Sequence, residues 1–337
     1  MVRRLAAAAL ILLVAATLLV MAWPQLFGLQ RTPLIAHAVS LRALASVVAI
    51  GLLLLVVVVA TLSRGFRSMA ASLGVMLIAF VLINAAVLST RGFGGHKPDP
   101  DQASELTVLA WNTLGPATTP EDIAALALER GADIVVLPET ILENATEVAV
   151  LMREGGRPMW AHTLAYDQVS PALSTSLLTS VDLGEYDYNP LSRTTSVLPT
   201  MIATPRDGSG PTIVAVHAVA PLLEQFDNWS GDLSLLAEYC SGENIIMAGD
   251  FNATIDHMTG LGAEPGKALG ECTDAAVAAG SGALGTWPTR LPALLGAPID
   301  HVMATSDWTV TGMEVITSLD DNGSDHRPIV AQLKRAG

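Results

Sequence analysis

Hydrophobic and polar positions divide this chain into two regimes. As far as Thr90 the pattern is long apolar runs: Leu5 to Gln30 ahead of Arg31, Ala43 to Ser63 between Arg42 and Arg64, and Ser68 to Thr90 between Arg67 and Arg91. Each holds a block of about 20 mostly apolar residues, enough at a helical rise of about 1.5 Å per residue to cross a ~30 Å hydrocarbon core. The first block is too long for a signal peptide, no small-residue cleavage site follows Trp23, and two further runs come after it. The pattern predicts three transmembrane helices in residues 1–90, with the lipid bilayer as partner of residues 5–90.

The second regime begins after a Gly/Pro/polar stretch, "RGFGGHKPDPDQAS", that reads as a linker over residues 91–104. From there to residue 337 the apolar runs are short and broken by turn residues, which suits one large domain. Strands are expected at "ELTVLAWN" (Glu105 to Asn112), "ADIVVLPE" (Ala132 to Glu139), Ser176–Ser180, Thr195–Ile202, Thr212–His217, Ile245–Ala248, Ile299–Ala304, Thr309–Ile316 and Pro328–Leu333. "TTPEDIAALALERG" reads as a helix with Thr119 as N-cap, Pro120 at the first position and Gly131 closing it. Further helices are expected at Glu143–Glu154, Trp229–Tyr239 and Lys267–Ala279. Many strands with few helices between them imply two packed sheets flanked by helices.

Polar residues recur at the ends of these apolar strands: Asn112, Glu139, His217, Asp250 with Asn252, Asp300, and Asp325 with His326. In "NIIMAGDFNAT" the apolar run stops at Gly249, and Asp250 and Asn252 follow two apart. In an extended chain such residues share a side. Strand ends facing one way are a common place to assemble a site from distant sequence.

Charge sharpens the division. Residues 1–90 carry six arginines and no Asp or Glu; the other 12 basic residues stand against all 32 acidic ones, a net charge of −20 for the second part. With the N-terminus inside, Arg3, Arg4, Arg64 and Arg67 are cytoplasmic, while Arg31, Arg42, Arg91 and Lys97 lie outside. This balance is even, and the α-amino group, the usual dominance of the first helix and the short second loop tip it to an inside N-terminus. Three crossings then put the acidic domain outside the cytoplasm, on a multi-pass protein of the cell membrane. Cys240 and Cys272 are compatible with a disulfide or with two buried thiols.

The strand-end residues have the chemistry for phosphodiester hydrolysis. That reaction needs a divalent cation, a base for the attacking water, and donors aimed at the developing charge. Mg²⁺ prefers hard oxygen ligands and is commonly held by one or two carboxylates plus substrate oxygens. Glu139, helped by Asn112, would hold it; Asp250 is the candidate for the water; Asn252 can donate to a phosphate oxygen. His326 held by Asp300 can act as general base or phosphate contact.

"AWNT", "DIVVLPE", "VAVHAVAP", "AGDFNAT", "PIDHV" and "GSDHRP" occur in the order seen in the endonuclease/exonuclease/phosphatase superfamily, which this chain resembles from about Glu105 to Leu333. The resemblance implies a four-layer α/β/β/α sandwich, deoxyribonuclease I-like, and a metal-dependent phosphoester hydrolase. By it, Glu139 matches the metal-binding glutamate and Asn112 the asparagine beside it, with Asp325 a metal-site or phosphate-network acid. Asp250 matches the aspartate serving the attacking water, Asn252 the transition-state donor, His326 the catalytic histidine and Asp300 its partner. His217 resembles the second histidine of the deoxyribonuclease I and sphingomyelinase branches. Mg²⁺ is the implied cofactor, with Mn²⁺ as an alternative. The chain departs from the family in having Pro138 where Gln often precedes the metal glutamate. Asp256, His257, His301 and His162 read as structural, and Trp287 as core or loop packing with substrate stacking as the alternative.

Two rival readings can be tested against the same residues. "VVLPET" after membrane spans is also similar to the nitrilase-like domain of bacterial apolipoprotein N-acyltransferases, but that chemistry needs a Glu–Lys–Cys set. No lysine lies between Lys97 and Lys267, and that family does not explain "GDFN" or "SDHRP". The other rival is a membrane-tethered binding domain that kept the fold and lost the chemistry; here every carboxylate and the final histidine are present. Twelve scattered basic residues disfavour tight binding of long duplexes, and no protein partner is expected. The substrate class is therefore a phosphoester: a phospholipid head group, a nucleic acid or a small phosphodiester.

Overall fold

The computed structural model describes residues 2–99, 106–167, 169–188 and 194–337. Residues 100–104 of the expected linker, Glu105 of the first expected strand, and the side chains of Arg3 and Arg4 lie outside the described residues. The chain divides into two compact units, Met1–Thr90 and Arg91–Gly337.

The first unit is helical: α1 (Val2–Ala22), α2 (Ile35–Ser40), α3 (Arg42–Leu62) and α4, which begins at Arg67 and runs to Arg91. Three of its helices are long and apolar enough to cross a membrane. Ala22, Ala49, Leu77 and Phe80 form a small core, while Leu12, Leu54 and Leu82 among many others are exposed. Helices apolar on every side are what a lipid environment selects. Arg42, buried at the start of α3, donates to Ala22 O (2.9 Å) and to Asn84 Oδ1 (2.8 Å), tying the three long helices together.

The second unit holds α5 (Pro120–Arg130), α6 (Leu142–Glu154), α7 (Phe226–Tyr239) and two short helices, α8 (Ile255–Met258) and α9 (Ala275–Ala279). Its strands are β1 (Leu106–Ala110), β2 (Ile134–Pro138), β3 (Met159–Ala165), β4 (Ser174–Ser180), β5 (Tyr186–Tyr188) and β6 (Met201–Pro205). They continue with β7 (Thr212–His217), β8 (Ile245–Asp250), β9 (Thr273–Asp274), β10 (Asp300–Ala304), β11 (Trp308–Val315) and β12 (Ile329–Arg335). They form two six-stranded mixed sheets, β11-β12-β1-β2-β4-β3 and β5-β6-β7-β8-β10-β9. The deoxyribonuclease I-like sandwich expected from the motifs is the observed architecture.

Alternation explains the layers. Val108, Ala110, Ile134 and Val136 of the first sheet meet Ile213, Ala215, Ile246, Ala248 and Val302 of the second in the central core. The intervening Leu109, Val135 and Leu137 turn outward to Ile123 and Ala127 of α5 and Val148 and Met152 of α6. Strands covered on both faces read as unbroken apolar runs, which is why β1, β2, β7, β8 and β12 were recognisable. Capping worked as expected at α5, where Thr119 Oγ1 accepts from Asp122 N and Gly131 closes the helix at φ 63°.

Several elements differ from expectation. The helix expected from Lys267 is only α9; residues 267–272 form a loop in which Ala268 N donates to Cys272 O and Glu271 N to Cys240 O. Gly270 sets that path: at φ 53°, a Cβ there would sit 2.2 Å from Cys240 O, and the Cys240–Cys272 disulfide pins the loop to the end of α7. Of the strand expected over Thr195–Ile202 only Met201 and Ile202 are in β6. Strands β3 and β5 were not anticipated, since as sheet edges they carry mixed polar and half-buried residues. Residues 91–99 are hydrogen-bonded into the second unit: Gly94 N donates to Gly280 O, His96 N to Ala279 O, Met313 N to His96 O, and Lys97 pairs with Glu314 at 2.6 Å.

Candidate active site

The same alternation that packs the core delivers polar side chains to one end of it. Ile213 and Ala215 face the opposite sheet, so His217 does too; Ala248 places Asp250 there, and Val302 places Asp300. Asp250 and Asp300 are register partners across β8 and β10. Beyond β1, Trp111 N and Thr113 N continue the ladder to Val136 O and Pro138 O, which carries Asn112 into the same region. Glu139 has the wrong parity, since Val135 and Leu137 face the helices. Its backbone is left-handed, φ 60°, and this breaks the alternation. Asn112 Nδ2 then donates to Glu139 Oε1 at 3.0 Å and to Asp250 Oδ2 at 3.1 Å, bridging the two sheets.

Strand β8 runs through Gly249 to Asp250 rather than ending at Ala248. Gly249 has φ 133°, and a Cβ there would lie 2.1 Å from Val216 O, so only glycine lets β8 approach β7 this closely. Asn252 is likewise not part of an extended chain: at φ 46° it closes a turn in which its N–H donates to Asp250 Oδ1 at 2.8 Å. Its Nδ2 donates to Ala218 O (2.9 Å) and Asp250 Oδ2 (3.2 Å). The pairing of Asp250 with Asn252 therefore comes from a turn, not from strand alternation.

His326 is buried, with Nδ1 2.9 Å from Asp300 Oδ2 and Nε2 3.8 Å from Asp250 Oδ2 and 4.0 Å from Asp325 Oδ1. His217 Nε2 stands 4.0 Å from Glu139 Oε1, and its Nδ1 is 3.4 Å from Thr175 Oγ1. The structure thus places Asn112, Glu139, His217, Asp250, Asn252, Asp300, Asp325 and His326 in one connected cluster. Asp250, Asp300 and His326 also stand close enough together to hold an ion, but the Asp300–His326 hydrogen bond already occupies one carboxylate oxygen. Tyr186 and Tyr188 belong to the edge strand β5, three strands from β8, and Tyr188 stacks on His162.

Burial and neighbours set the protonation states. Burial pushes the Asp250 carboxyl up to about 7, with Asp300 adding to the rise against the pull of His326 and its hydrogen bonds to Asn252 and Asn112. Burial disfavours the His326 cation, but Asp300 and Asp250 outweigh it and lift the imidazole to about 10. His217 moves the other way, to about 3, by burial reinforced by the charge of His326.

Sequence reasoning missed the residues that hold this cluster. Trp111 Nε1 donates to His326 O (2.9 Å), Ser324 Oγ to Asn112 O (2.6 Å), and His326 N to Ser324 Oγ (3.0 Å). Thr286 Oγ1 accepts from Asp300 N at 3.1 Å, and Trp287 Nε1 donates to Asp325 Oδ2 at 2.8 Å. Arg327 is fully buried and grips Asp320 with Nε (2.7 Å) and Nη2 (2.6 Å). Trp111, Ser324 and Arg327 stand inside the quoted motifs, which was the available signal; Thr286 had only its position ahead of "PID", and the hydrogen bond from Trp287 to Asp325 goes beyond the packing or stacking expected of it. Cys240 is locked in the disulfide at the end of α7, so no thiolate of a Glu–Lys–Cys set is present.

A model of the endonuclease/exonuclease/phosphatase family matches residues 109–326, well over half of the chain. The chain belongs to that family. Solved structures agree on the fold. They include an endonuclease/exonuclease/phosphatase from Beutenbergia cavernae DSM 12333, 19% identical over 70% of this chain and 72% of that one, TM-score 0.50. A family member from Leptotrichia buccalis C-1013-b is 14% identical over 68% of this chain and 99% of that one, TM-score 0.51. D. rerio TDP2 complexed with single strand DNA product is 17% identical over 68% of this chain and 98% of that one, TM-score 0.51. No curated protein matches the sequence. The family is one of phosphoester hydrolases.

Proposed function

We propose that this protein is a membrane-anchored, divalent-metal-dependent phosphoester hydrolase in which an activated water attacks phosphorus. The observation that carries this reading is the bridge from Glu139 through Asn112 to Asp250, with His326 Nε2 3.8 Å from the same Asp250 oxygen. A metal carboxylate, a water-directed carboxylate and a cationic donor thus converge from residues far apart in sequence.

The donor set fits Mg²⁺ or Mn²⁺: carboxylate oxygens of Glu139 and Asp325, with Asp325 Oδ1 buried and lacking a hydrogen-bond partner. A cation held there supplies positive charge against the phosphate and the leaving oxygen. Asn112 presents nitrogen to Glu139 and Asp250 while its oxygen accepts from Leu114 N at 3.0 Å, so it orients both carboxylates beside the cation. Asp250 takes the proton of the attacking water, and a pKa near 7 suits a base at neutral pH. His326, cationic between Asp300 and Asp250, donates to a phosphate oxygen rather than acting as base. His217, neutral, is a second phosphate contact. Both Nδ2 protons of Asn252 are engaged, and it serves the transition state by releasing the longer bond to Asp250.

The three long apolar helices support a membrane anchor, and the disulfide supports an oxidising compartment for the second unit, in keeping with an inside N-terminus. The DNA product bound by the D. rerio relative keeps nucleic acid among the substrates, while the net charge of −20 from Arg91 onward, which counts the same 12 basic and 32 acidic residues, favours small or lipid phosphoesters. The test is to incubate the purified chain with DNA, RNA, sphingomyelin and phosphoinositides, each with and without Mg²⁺. Metal-dependent cleavage of at least one is expected, abolished by Asp250→Ala and by His326→Ala; variants as fast as the parent would remove the assignment. A reporter fused after Gly337 is expected to be active outside the cytoplasm.

A further inference from the structure

His301 follows Asp300 on β10 but faces the other side of the sheet, where its ring meets Phe251 edge-on at 5.4 Å. It is buried, and both its ring nitrogens contact oxygen: Nδ1 lies 2.7 Å from Asp274 Oδ2, and Nε2 lies 2.8 Å from Ala253 O. A carbonyl oxygen only accepts, so Nε2 carries a proton. Asp274 is already an acceptor, taking a hydrogen bond at Oδ1 from Val277 N at 2.7 Å as the N-cap of α9. A neutral imidazole has a single N–H, and two such contacts call for two. The short distance to Asp274 is that of a charge-assisted bond. Burial opposes the cation, but Asp274 and Ala253 O more than offset it and raise the imidazole's affinity for its proton.

Ala253 adjoins Asn252, and neighbouring peptide groups are tied. Phe251 N donates to Ile299 O (3.0 Å), Asn252 O accepts from Trp229 Nε1 (3.0 Å), and Thr254 N donates to His257 Nδ1 (2.9 Å). Asn252 is a non-glycine residue at φ 46°, a conformation that persists only where neighbours over-determine it. Of these anchors, His301 alone is a side chain of β10. Released from it, peptide 253 can rotate, Asn252 can relax toward the right-handed region, and its carboxamide leaves Asp250 and Ala218 O.

We propose that His301, as an imidazolium held by Asp274, is a positioning residue that fixes the Ala253 peptide and so keeps Asn252 in the left-handed turn that aims its carboxamide at Asp250. Its effect on turnover rests on the hydrolase reading above; its effect on Asn252 does not. The experiment uses the full chain in detergent. In ¹⁵N spectra both ring nitrogens of His301 are expected to be protonated at pH 8, where an unperturbed histidine has lost its second proton. His301→Leu is expected to shift the Asn252 side-chain amide signals. Against bis(p-nitrophenyl) phosphate with Mg²⁺ it should lower kcat by about 10²-fold with KM nearly unchanged, the scale of a small misplacement. His301→Gln, which restores a donor toward Ala253 O, is expected to recover most of kcat. A singly protonated His301, unmoved Asn252 signals in His301→Leu, or a loss matched by an equal loss of folded protein in both variants would overturn the proposal. A parent chain that hydrolyses no phosphoester would instead count against the proposed function, and the Asn252 signals would still decide the role of His301.

Discussion

Replacing Arg327 with lysine isolates how much of the site's geometry depends on one buried clamp. The guanidinium bonds both oxygens of Asp320 at 2.7 and 2.6 Å and donates to Gly285 O (3.1 Å), Thr289 O (3.0 Å) and Leu291 O (2.7 Å). Lysine keeps the charge but offers one nitrogen where arginine offers three. It can serve Asp320 and one carbonyl, leaving two others without a donor. Asp320 is 30% exposed, so its share is discounted for solvent. Two buried carbonyls left without a donor, at about 1–3 kcal/mol each, give a cost of about 2–6 kcal/mol. That is a large part of the ~5–15 kcal/mol that holds a domain together. Urea unfolding in detergent, followed by tryptophan fluorescence, reads the second unit selectively, since five of the six tryptophans lie there. With a slope of about 2–3 kcal/mol/M, the midpoint should fall by about 1–2 M. Activity should fall more than stability at low urea, because the released carbonyls flank Trp287, the donor to Asp325. A midpoint shift below about 0.3 M with parental kcat would refute this account of the clamp.

Other outcomes follow from the same geometry. Glu139→Gln should raise the Mg²⁺ concentration needed for half-maximal rate and lower the rate at saturation, measured by metal titration after chelation; equal titration curves would take Glu139 out of the metal site. Activity should rise with pH as Asp250 loses its proton near 7 and fall as His326 loses its own near 10, with bound metal drawing the lower limb toward acid. Asp300→Asn should remove the upper limb's alkaline position and cost about 10²–10⁴-fold in kcat. His217 is lowered to about 3 in the folded chain, so below about 6.5 the unfolded chain binds a proton that the folded chain refuses. The parent should therefore lose on the order of 3 kcal/mol relative to His217→Gln between pH 7 and pH 4, read from urea midpoints, and no loss above pH 7.

Much of this was legible before any coordinates because the relevant physics is periodic. Continuous runs such as Ile134–Leu137 and Ile246–Ala248 are buried on both faces, and their polar successors mark where the sheets stop. The edge strands β3 and β5 escaped because Trp160, Asp187 and their neighbours obey no single face. Residues 267–272 have helix-forming composition, but Gly270 and Cys272 are claimed by contacts with the end of α7 that lie 30 positions away in the chain. Within the site, carboxylates and histidines announce themselves by type. Thr286, Ser324, Trp111 and Arg327 act largely on backbone groups, which leave no mark on composition or spacing. The left-handed Glu139 is the same kind of case: nothing in the sequence marks the turn that aims its side chain.

Asn112 and Glu139 ride on one sheet, while His217, Asp250 and Asp300 ride on the other, and small side chains, Ala110, Ala215 and Ala248, fill the sandwich just beneath them. The thickness of that filling therefore sets the jaw width of the mouth between the sheets. Enlarging Ala248 to valine would touch no reacting atom, yet it would wedge the halves apart and stretch the Asn112 bridge. Drift in such interior alanines is a route by which this chain can lose or retune its chemistry while every polar residue of the site stays in place.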